Sequence, residues 1–248
     1  MNNLTNALKE KLFYHGADLV GIGNLCELPF EIRSGMPIGI CVALKYPANV
    51  IKGIVDLPTA EYNHWYNKLN HRLDELVVLG ADFLKSQSYE AIPRTRAVVG
   101  NGEEDNNTIL PHKTIATRAG IGWIGKSALL VTDQYGSMIR ISSILTDAPL
   151  ETSPSMNQSK CGDCMICVDA CPANAISGKI WDVGLYRDEF YDPDKCRKTA
   201  RERAAQGFGG ENTICGKCIE ICPYTKQAIN LKLCDCCFAR CSNVDYLY

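Results

Sequence analysis

Hydrophobic residues recur at helical spacing in two segments of the first third of the chain. Within residues 3–15, leucines occupy every fourth position, which places them on one helical face, and Gly16 is a typical helix terminator. Between residues 61 and 85, leucine and aromatic residues recur at near-helical spacing. We therefore expect an opening helix and a second helix that is the longest of the chain.

Runs of branched apolar residues predict strands. Residues 38–46 lie between two prolines and are typical of a buried strand. Residues 128–132 and 138–146 are two more such runs, and the turn-forming residues 133–136 between them predict a β-hairpin. Helix, strand, long helix and hairpin together predict an α+β domain.

Composition and charge narrow the class of protein. The chain has 248 residues, of which 46% are hydrophobic and 22% charged, so it can bury a substantial core. A formal charge of −2 gives no overall attraction to nucleic acid or anionic membrane. No apolar run approaches the roughly 20 residues that span a bilayer. No signal peptide opens the sequence, so we expect a cytoplasmic protein without membrane contact.

The 14 cysteines carry the strongest chemical signal. Residues 161–172 form C-x2-C-x2-C-x3-C-P, and residues 215–223 form C-x2-C-x3-C-P. This spacing is typical of two [4Fe–4S] clusters, in which the cysteine before proline binds the other cluster. Zinc, the main alternative, needs neither the third cysteine nor the C-P pair. The predicted ligands are Cys161, Cys164, Cys167 and Cys222 for cluster 1, and Cys171, Cys196, Cys215 and Cys218 for cluster 2.

Cys196 completes the second set because it is the one unassigned cysteine between the motifs, with a tail thiol such as Cys234 as the alternative. The tail also holds Cys236, Cys237 and Cys241, which could bind zinc or a further cluster, cap an existing cluster or relay electrons. A polar segment at residues 151–160 predicts a domain boundary. We expect a cofactor or substrate domain at 1–152, a ferredoxin-like double-cluster module at 153–230 and a cysteine-rich tail at 231–248.

A glycine-rich segment, residues 120–127, formally matches both G-x-G-x-x-G and G-x-x-x-x-G-K-S. A nucleotide-binding loop should follow a strand and open a helix, whereas here the preceding residues are helical in pattern and the following ones strand-like. We therefore predict a turn whose glycines permit close backbone approach, with ATP binding as a less favoured alternative.

The segment Arg118–Lys126, the following Leu129–Val131 and Leu145–Asp147, and the double-cluster cysteines resemble epoxyqueuosine reductases. These are cobalamin-dependent tRNA-modification enzymes related to reductive dehalogenases, and the resemblance covers roughly residues 36–225. It implies a cobalamin-binding domain of the flavin-reductase-like α/β sandwich type, with two clusters that feed electrons to cobalt. Our hypothesis places the corrinoid against the glycine-rich turn, with contacts from Gly120, Gly122, Trp123, Gly125 and Lys126.

The chain departs from this family's pattern in its catalytic residue and its length. The position of the family's catalytic aspartate falls on Asn106, with Asp105 one residue away, and His112 follows shortly after. Asp105 and His112 are our candidate proton donors. The sequence ends at Tyr248, where the family commonly continues into an extension that helps hold tRNA. No D-x-H-x-x-G motif offers a lower cobalt ligand, so we expect base-off cobalamin.

These observations predict an iron–sulfur oxidoreductase that passes single electrons to a corrinoid in order to reduce a substrate. The substrate is a small molecule or a modified nucleoside that the sequence does not identify, and an external low-potential donor supplies the electrons. Binding to tRNA is compatible with the resemblance but is not indicated by the charge. The alternative is an electron-transfer protein that docks a partner enzyme and has no substrate chemistry of its own.

Overall fold

A computed structural model describes residues 3–99 and 108–231. Within these ranges no helix has the length and apolar character needed to cross a membrane. Residues 223–231 are helical. The other elements, in chain order, are α1 (Asn3–Tyr14), β1 (Leu19–Asn24), β2 (Ile38–Lys45), α2 (Ala48–Lys52), α3 (Ala60–Ser86), β3 (Ala91–Arg94), α4 (Arg96–Val99), α5 (His112–Arg118), β4 (Trp123–Ile124), β5 (Leu130–Val131), β6 (Ile139–Thr146), α6 (Ile166–Asp169), α7 (Arg187–Phe190), α8 (Pro193–Phe208) and α9 (Lys217–Glu220).

A four-stranded antiparallel sheet with the order β1-β2-β6-β3 forms the centre of the molecule. Strand β2 is buried almost throughout, because it is a central strand and helices cover both faces of the sheet. Helices α1 and α3 pack on one face, and α5 packs on the other. The predicted mixed architecture of helices and strands is confirmed.

Helix α3 is the long helix predicted from the hydrophobic spacing. The Thr59 hydroxyl caps its start by accepting a hydrogen bond from the Tyr62 backbone N–H at 3.1 Å. Its buried face includes Leu69, Leu73 and Leu76. The opening helix α1 and the strand β2 also lie where the sequence predicts them.

The prediction that residues 128–146 form a β-hairpin is wrong. Strand β5 pairs with β4, whereas β6 lies between β2 and β3. The turn residues do reverse the chain, but only an isolated bridge from Thr132 to Gly136 spans the turn. Because β6 pairs along eight positions with β2, it gains far more ladder and burial there than two-residue β5 could offer.

The cysteine-rich part of the chain shares the core of the sheet domain. Ile214, Ile219 and Ile229 belong to the same buried cluster as Ile51 and Ile54. The polar segment 151–160 also packs on the domain, since its Ser153 N–H donates to the Ile22 carbonyl at 2.8 Å. The proposed boundary in this segment stays a prediction.

Candidate metal centres and the adjoining cavity

Four predicted cluster ligands surround one cavity of about 120 Å³ beside the β4–β5 turn. Three of them flank the start of α6 and the fourth lies just before the helix at residues 223–231. Burial, together with the neighbouring thiols, raises the pKa of Cys167 to about 11. We call these residues cysteine group 1: Cys161, Cys164, Cys167 and Cys222.

The other four predicted ligands line a second cavity, of about 230 Å³. Cys196 lies in the first turn of α8, which begins where the Asp192 carboxylate accepts from the Lys195 N–H at 3.0 Å. Burial raises the pKa of Cys196, and a hydrogen bond from the Tyr191 hydroxyl partly offsets that rise. We call this set cysteine group 2: Cys171, Cys196, Cys215 and Cys218.

Cys218 joins the two groups. It lines both cavities, and its neighbours include Cys167 of group 1 and Cys171 of group 2. Burial and these surrounding thiols hold its pKa well above the ordinary value. Clusters bound at the two sites would therefore be neighbours, which suits transfer of an electron from one to the other.

The four thiols of each group lie around a cavity and are too far apart to bind one metal ion together. Among residues 3–99 and 108–231, no three cysteine, histidine or acidic side chains close around one ion. In a [4Fe–4S] cubane each thiolate binds a different iron, so its four ligands stand farther apart than those of one zinc ion. Iron bound among buried thiols would also displace the protons that burial favours. The described residues thus fit two cubanes.

The glycine-rich turn is packed against protein on the sides where side chains are missing. A Cβ at Gly122 would lie 2.1 Å from the Val131 carbonyl oxygen, and one at Gly120 would lie 2.7 Å from that of Pro154. Trp123 is fully buried, with the Tyr224 ring edge-on at 4.9 Å. These three residues face neighbouring protein rather than the described cavities, while Gly125 and Lys126 line the cavity of group 1. The predicted corrinoid contacts of all five residues stay a prediction, although Gly120, Gly122 and Trp123 line none of the described cavities.

The same turn lacks the geometry of a phosphate-binding loop. Strand β5 follows Ser127, where a P-loop would open a helix. Lys126 points into the thiol-lined cavity and its Nζ lies 3.5 Å from the Met165 sulfur. The local structure therefore agrees with the prediction that this segment is a tight turn.

A third cavity, of about 350 Å³, lies between the start of α5 and β6. His112, Lys113 and Arg140 supply its charged or titratable lining. Leu129, Arg140 and Ile219 line both this cavity and that of group 2, so the two spaces adjoin. A molecule in this cavity, which we call the α5–β6 cavity, would lie beside the second candidate cluster.

His112 and Lys113 differ in charge at pH 7 in the α5–β6 cavity. Burial, reinforced by Arg94 and Arg140, lowers the pKa of His112 to about 4, so its imidazole is neutral at pH 7. Its Nδ1 lies 2.8 Å from the Ser143 hydroxyl. Burial lowers the pKa of Lys113 to about 8, and its Nζ donates to the Ala128 carbonyl at 2.6 Å. Lys113 is therefore the better acid near neutral pH.

Arg140 is the principal site residue that the sequence analysis missed. Its Nε donates to the Asn70 side-chain oxygen at 2.9 Å, and its guanidinium lies 4.5 Å from the centre of the Tyr66 ring. The available signal was that Arg140 is the one charged residue in strand β6. Asp105 and the tail cysteines Cys234, Cys236, Cys237 and Cys241 lie outside the described residues.

Comparisons with known proteins agree with this geometry. Residues 160–225 match a family described as a 4Fe-4S double cluster binding domain. An epoxyqueuosine reductase from Listeria monocytogenes is 30% identical over 200 residues, which cover 75% of this chain and 48% of that protein. The chain spans about half the length of the curated relatives it matches. The resemblance to epoxyqueuosine reductases is confirmed.

Solved structures share the fold. One is an epoxyqueuosine reductase bound to an epoxyqueuosine-modified tRNA stem loop, with a TM-score of 0.59 and 20% identity over 90% of this chain and 65% of that one. Another is a reductive dehalogenase for which B12-dependent dehalogenation is described, with a TM-score of 0.67 and 18% identity over 92% of this chain and 33% of that one. At these identities the structures establish a common fold alone.

Proposed function

From this kinship with epoxyqueuosine reductases and from the double-cluster domain, we propose that the chain is an iron–sulfur reductase whose two [4Fe–4S] clusters pass single electrons to cobalamin. One observation carries the proposal: the cavity of cysteine group 2 adjoins the α5–β6 cavity through Leu129, Arg140 and Ile219. Electrons would pass from the cluster of group 1, near Cys218, to the cluster of group 2. From there they would reach a cofactor in the adjoining cavity of the sheet domain.

The α5–β6 cavity is a better candidate for the corrinoid than the glycine-rich turn. Its aliphatic walls, which include Leu130, Ile139 and Ile141, suit the faces of a broad macrocycle. When bound and reduced, cobalamin would supply a strongly nucleophilic metal centre. The sheet domain would then act as a cobalamin-binding α/β sandwich of the flavin-reductase-like type, with the double-cluster module packed against it.

The chain's own residues would supply charge and protons to the reaction. We assign the proton source to Lys113 rather than to His112, because His112 has a pKa of about 4 and is neutral at pH 7. Arg140 would attract an anionic group of the substrate or cofactor, since its positive charge lies at the junction of the two cavities. An external low-potential donor would deliver electrons to the clusters.

The substrate proposed is a small molecule or a modified nucleoside. The relative whose structure contains a modified tRNA stem loop makes a nucleoside in tRNA the first candidate to test. The net charge of −2 gives no general attraction for the tRNA backbone. Binding of such a stem loop, compared with the unmodified one, would show whether a base-specific pocket exists.

Anaerobic reconstitution tests the central proposal. The protein should bind about eight iron atoms, and added cobalamin should give a base-off Co(II) EPR signal with saturable, micromolar affinity. Leu129→Trp should weaken cobalamin binding at least about tenfold, because it fills the junction between the cavities. The matched control is Val183→Trp, at a position 60% exposed. Intact clusters without cobalamin affinity would refute the proposal and favour an electron carrier that docks a partner enzyme.

A further inference from the structure

Lys126 is a buried cation without an acidic partner in the part of the chain that the structure describes. The residue is 3% exposed, and its described hydrogen bond is the weak one from Nζ to the Met165 sulfur at 3.5 Å. Within residues 3–99 and 108–231, the ion pairs involve other basic residues. An unpaired buried ammonium is strongly unfavourable, so this site requires a negative group nearby.

The cavity of cysteine group 1 supplies the place for that negative group. Lys126 lines this cavity together with the four thiols of the group. A cubane held by four thiolates carries a net negative charge and gains another on reduction. Its reduction potential therefore depends on the charges around it.

We propose that the Lys126 ammonium is the fixed counter-charge of the cluster bound by cysteine group 1 and raises the reduction potential of that cluster. The inference rests on the proposed function, because it requires a cluster at this site. A positive charge stabilises the reduced, more negative state more than the oxidised state, which makes the cluster easier to reduce. The first cluster would thereby accept electrons from a weaker external donor.

The β4–β5 turn holds Lys126 in place. The Gly125 N–H donates to the Leu129 carbonyl at 2.8 Å, and the Ala128 N–H donates to the Gly125 carbonyl at 2.9 Å. A Cβ at Gly125 would lie 2.9 Å from a Val131 methyl carbon and 3.6 Å from the Cys161 sulfur. The glycine thus lets the turn approach the thiols closely, and the lysine that follows it is directed into the cavity.

Lys160 provides a matched control at the same cavity. Its side chain is 44% exposed, and its Nζ is paired with the Asp133 carboxylate at 2.9 Å. Solvent and the carboxylate both screen its charge. Removal of the Lys160 charge should therefore affect the cluster much less than removal of the buried Lys126 charge.

The test is an anaerobic potentiometric titration of the full chain, followed by EPR and visible absorbance, with iron determined for each sample. Lys126→Met should lower one midpoint potential so that, at a fixed applied potential, the reduced-to-oxidised ratio falls by about tenfold or more, which is ~59 mV for a one-electron couple. Lys126→Arg and Lys160→Met should keep that ratio within about threefold of the wild-type value, or ~30 mV.

Each outcome decides between distinct alternatives. Unchanged potentials in Lys126→Met with full iron content would overturn the inference and leave the clusters standing. A wild-type protein without two clusters would overturn the proposed function instead. If Lys126→Met loses iron, Lys126→Arg decides: retention of both clusters shows that the charge is required, whereas loss in both variants shows that packing alone matters and overturns the inference.

Discussion

Replacement of Gly136 by alanine should disturb the backbone that presents Cys222 to cysteine group 1. Gly136 has a φ of +54°, and an added Cβ would lie 2.3 Å from the Thr225 nitrogen and 2.5 Å from its Cα. Thr225 is fully buried, and its hydroxyl accepts from the Ser137 N–H at 3.1 Å. Because the overlapping atoms are backbone atoms, no change of side-chain rotamer relieves the overlap.

The expected loss has two parts. A left-handed backbone costs a non-glycine residue ~1–2 kcal/mol, and overpacking of a tight site costs ~1–3 kcal/mol more. The free energy of unfolding should therefore fall by about 2–5 kcal/mol, which lowers the melting temperature by about 10 °C in a protein of this size. Gly209→Ala is the matched control, since Gly209 has a φ of +70° and nothing within 4 Å of its added Cβ. It should lose only about 1–2 kcal/mol.

The Gly136→Ala substitution should also disturb the metal centre. Backbone N–H groups of Thr225 and Tyr224 donate to the Cys222 thiol, so a displacement of Thr225 changes the position of a predicted ligand. Anaerobic thermal melts at one scan rate, together with iron analysis, check both effects. Gly136→Ala should melt well below Gly209→Ala and lose up to half of its iron. Equal melting temperatures in the two variants would refute the reasoning.

Three further predictions concern single side chains. Cys196→Ser should lower bound iron from about eight atoms to about four, whereas Cys26→Ser, at an exposed cysteine outside both groups, should not; unchanged iron in Cys196→Ser would require another ligand. His112 has a pKa lowered to about 4 by burial, so its contribution to stability is complete above the unfolded pKa of ~6.5 and is lost as pH falls toward 4. Between pH 7 and pH 5, the free energy of unfolding in anaerobic denaturation should fall by about 2 kcal/mol less in His112→Asn than in the wild type. Equal pH slopes in the two proteins would contradict this. Lys113, with a pKa of about 8, loses its proton as pH rises through that value, so the rate of substrate reduction should fall above pH 8 and Lys113→Gln should lack this fall; a flat wild-type profile would exclude Lys113 as the proton source.

The secondary structure of the longest periodic segments could be predicted because it follows from the local pattern of apolar residues. Helix α3 needs only its apolar face and the Thr59 cap, and β2 needs only its branched apolar residues. The pairing of β6 could not be read in the same way, because the turn at residues 133–136 indicates a reversal without showing which strand receives β6. Pairing between distant segments decides where β6 lies, because its partner strand β2 lies about a hundred residues earlier in the chain.

The candidate metal site was more predictable than the candidate substrate site for a chemical reason. Cysteines at cluster spacing have few other uses in such number, and the structure brings the eight predicted ligands into two groups. Arg140 carries no comparable motif; its role depends on Asn70 and Tyr66 of α3, which only the folded chain places beside it. The glycines of the turn were a weaker signal, because close protein packing and close cofactor approach require the same absence of a side chain.

The core shared by the cysteine-rich segment and the sheet domain fixes the second cluster relative to the α5–β6 cavity. Ile219 follows Cys218 of group 2 by one residue, is buried, and also lines the α5–β6 cavity. A ligand in group 2 and a wall of the cavity are thus fixed by one short helix, α9, whose own apolar side packs into the core with Ile54 and Tyr62. Movement of the cluster relative to the cavity would require that core to open. The spacing between the second cluster and any cofactor in the cavity is therefore set by packing, which is the condition that repeated single-electron transfer needs.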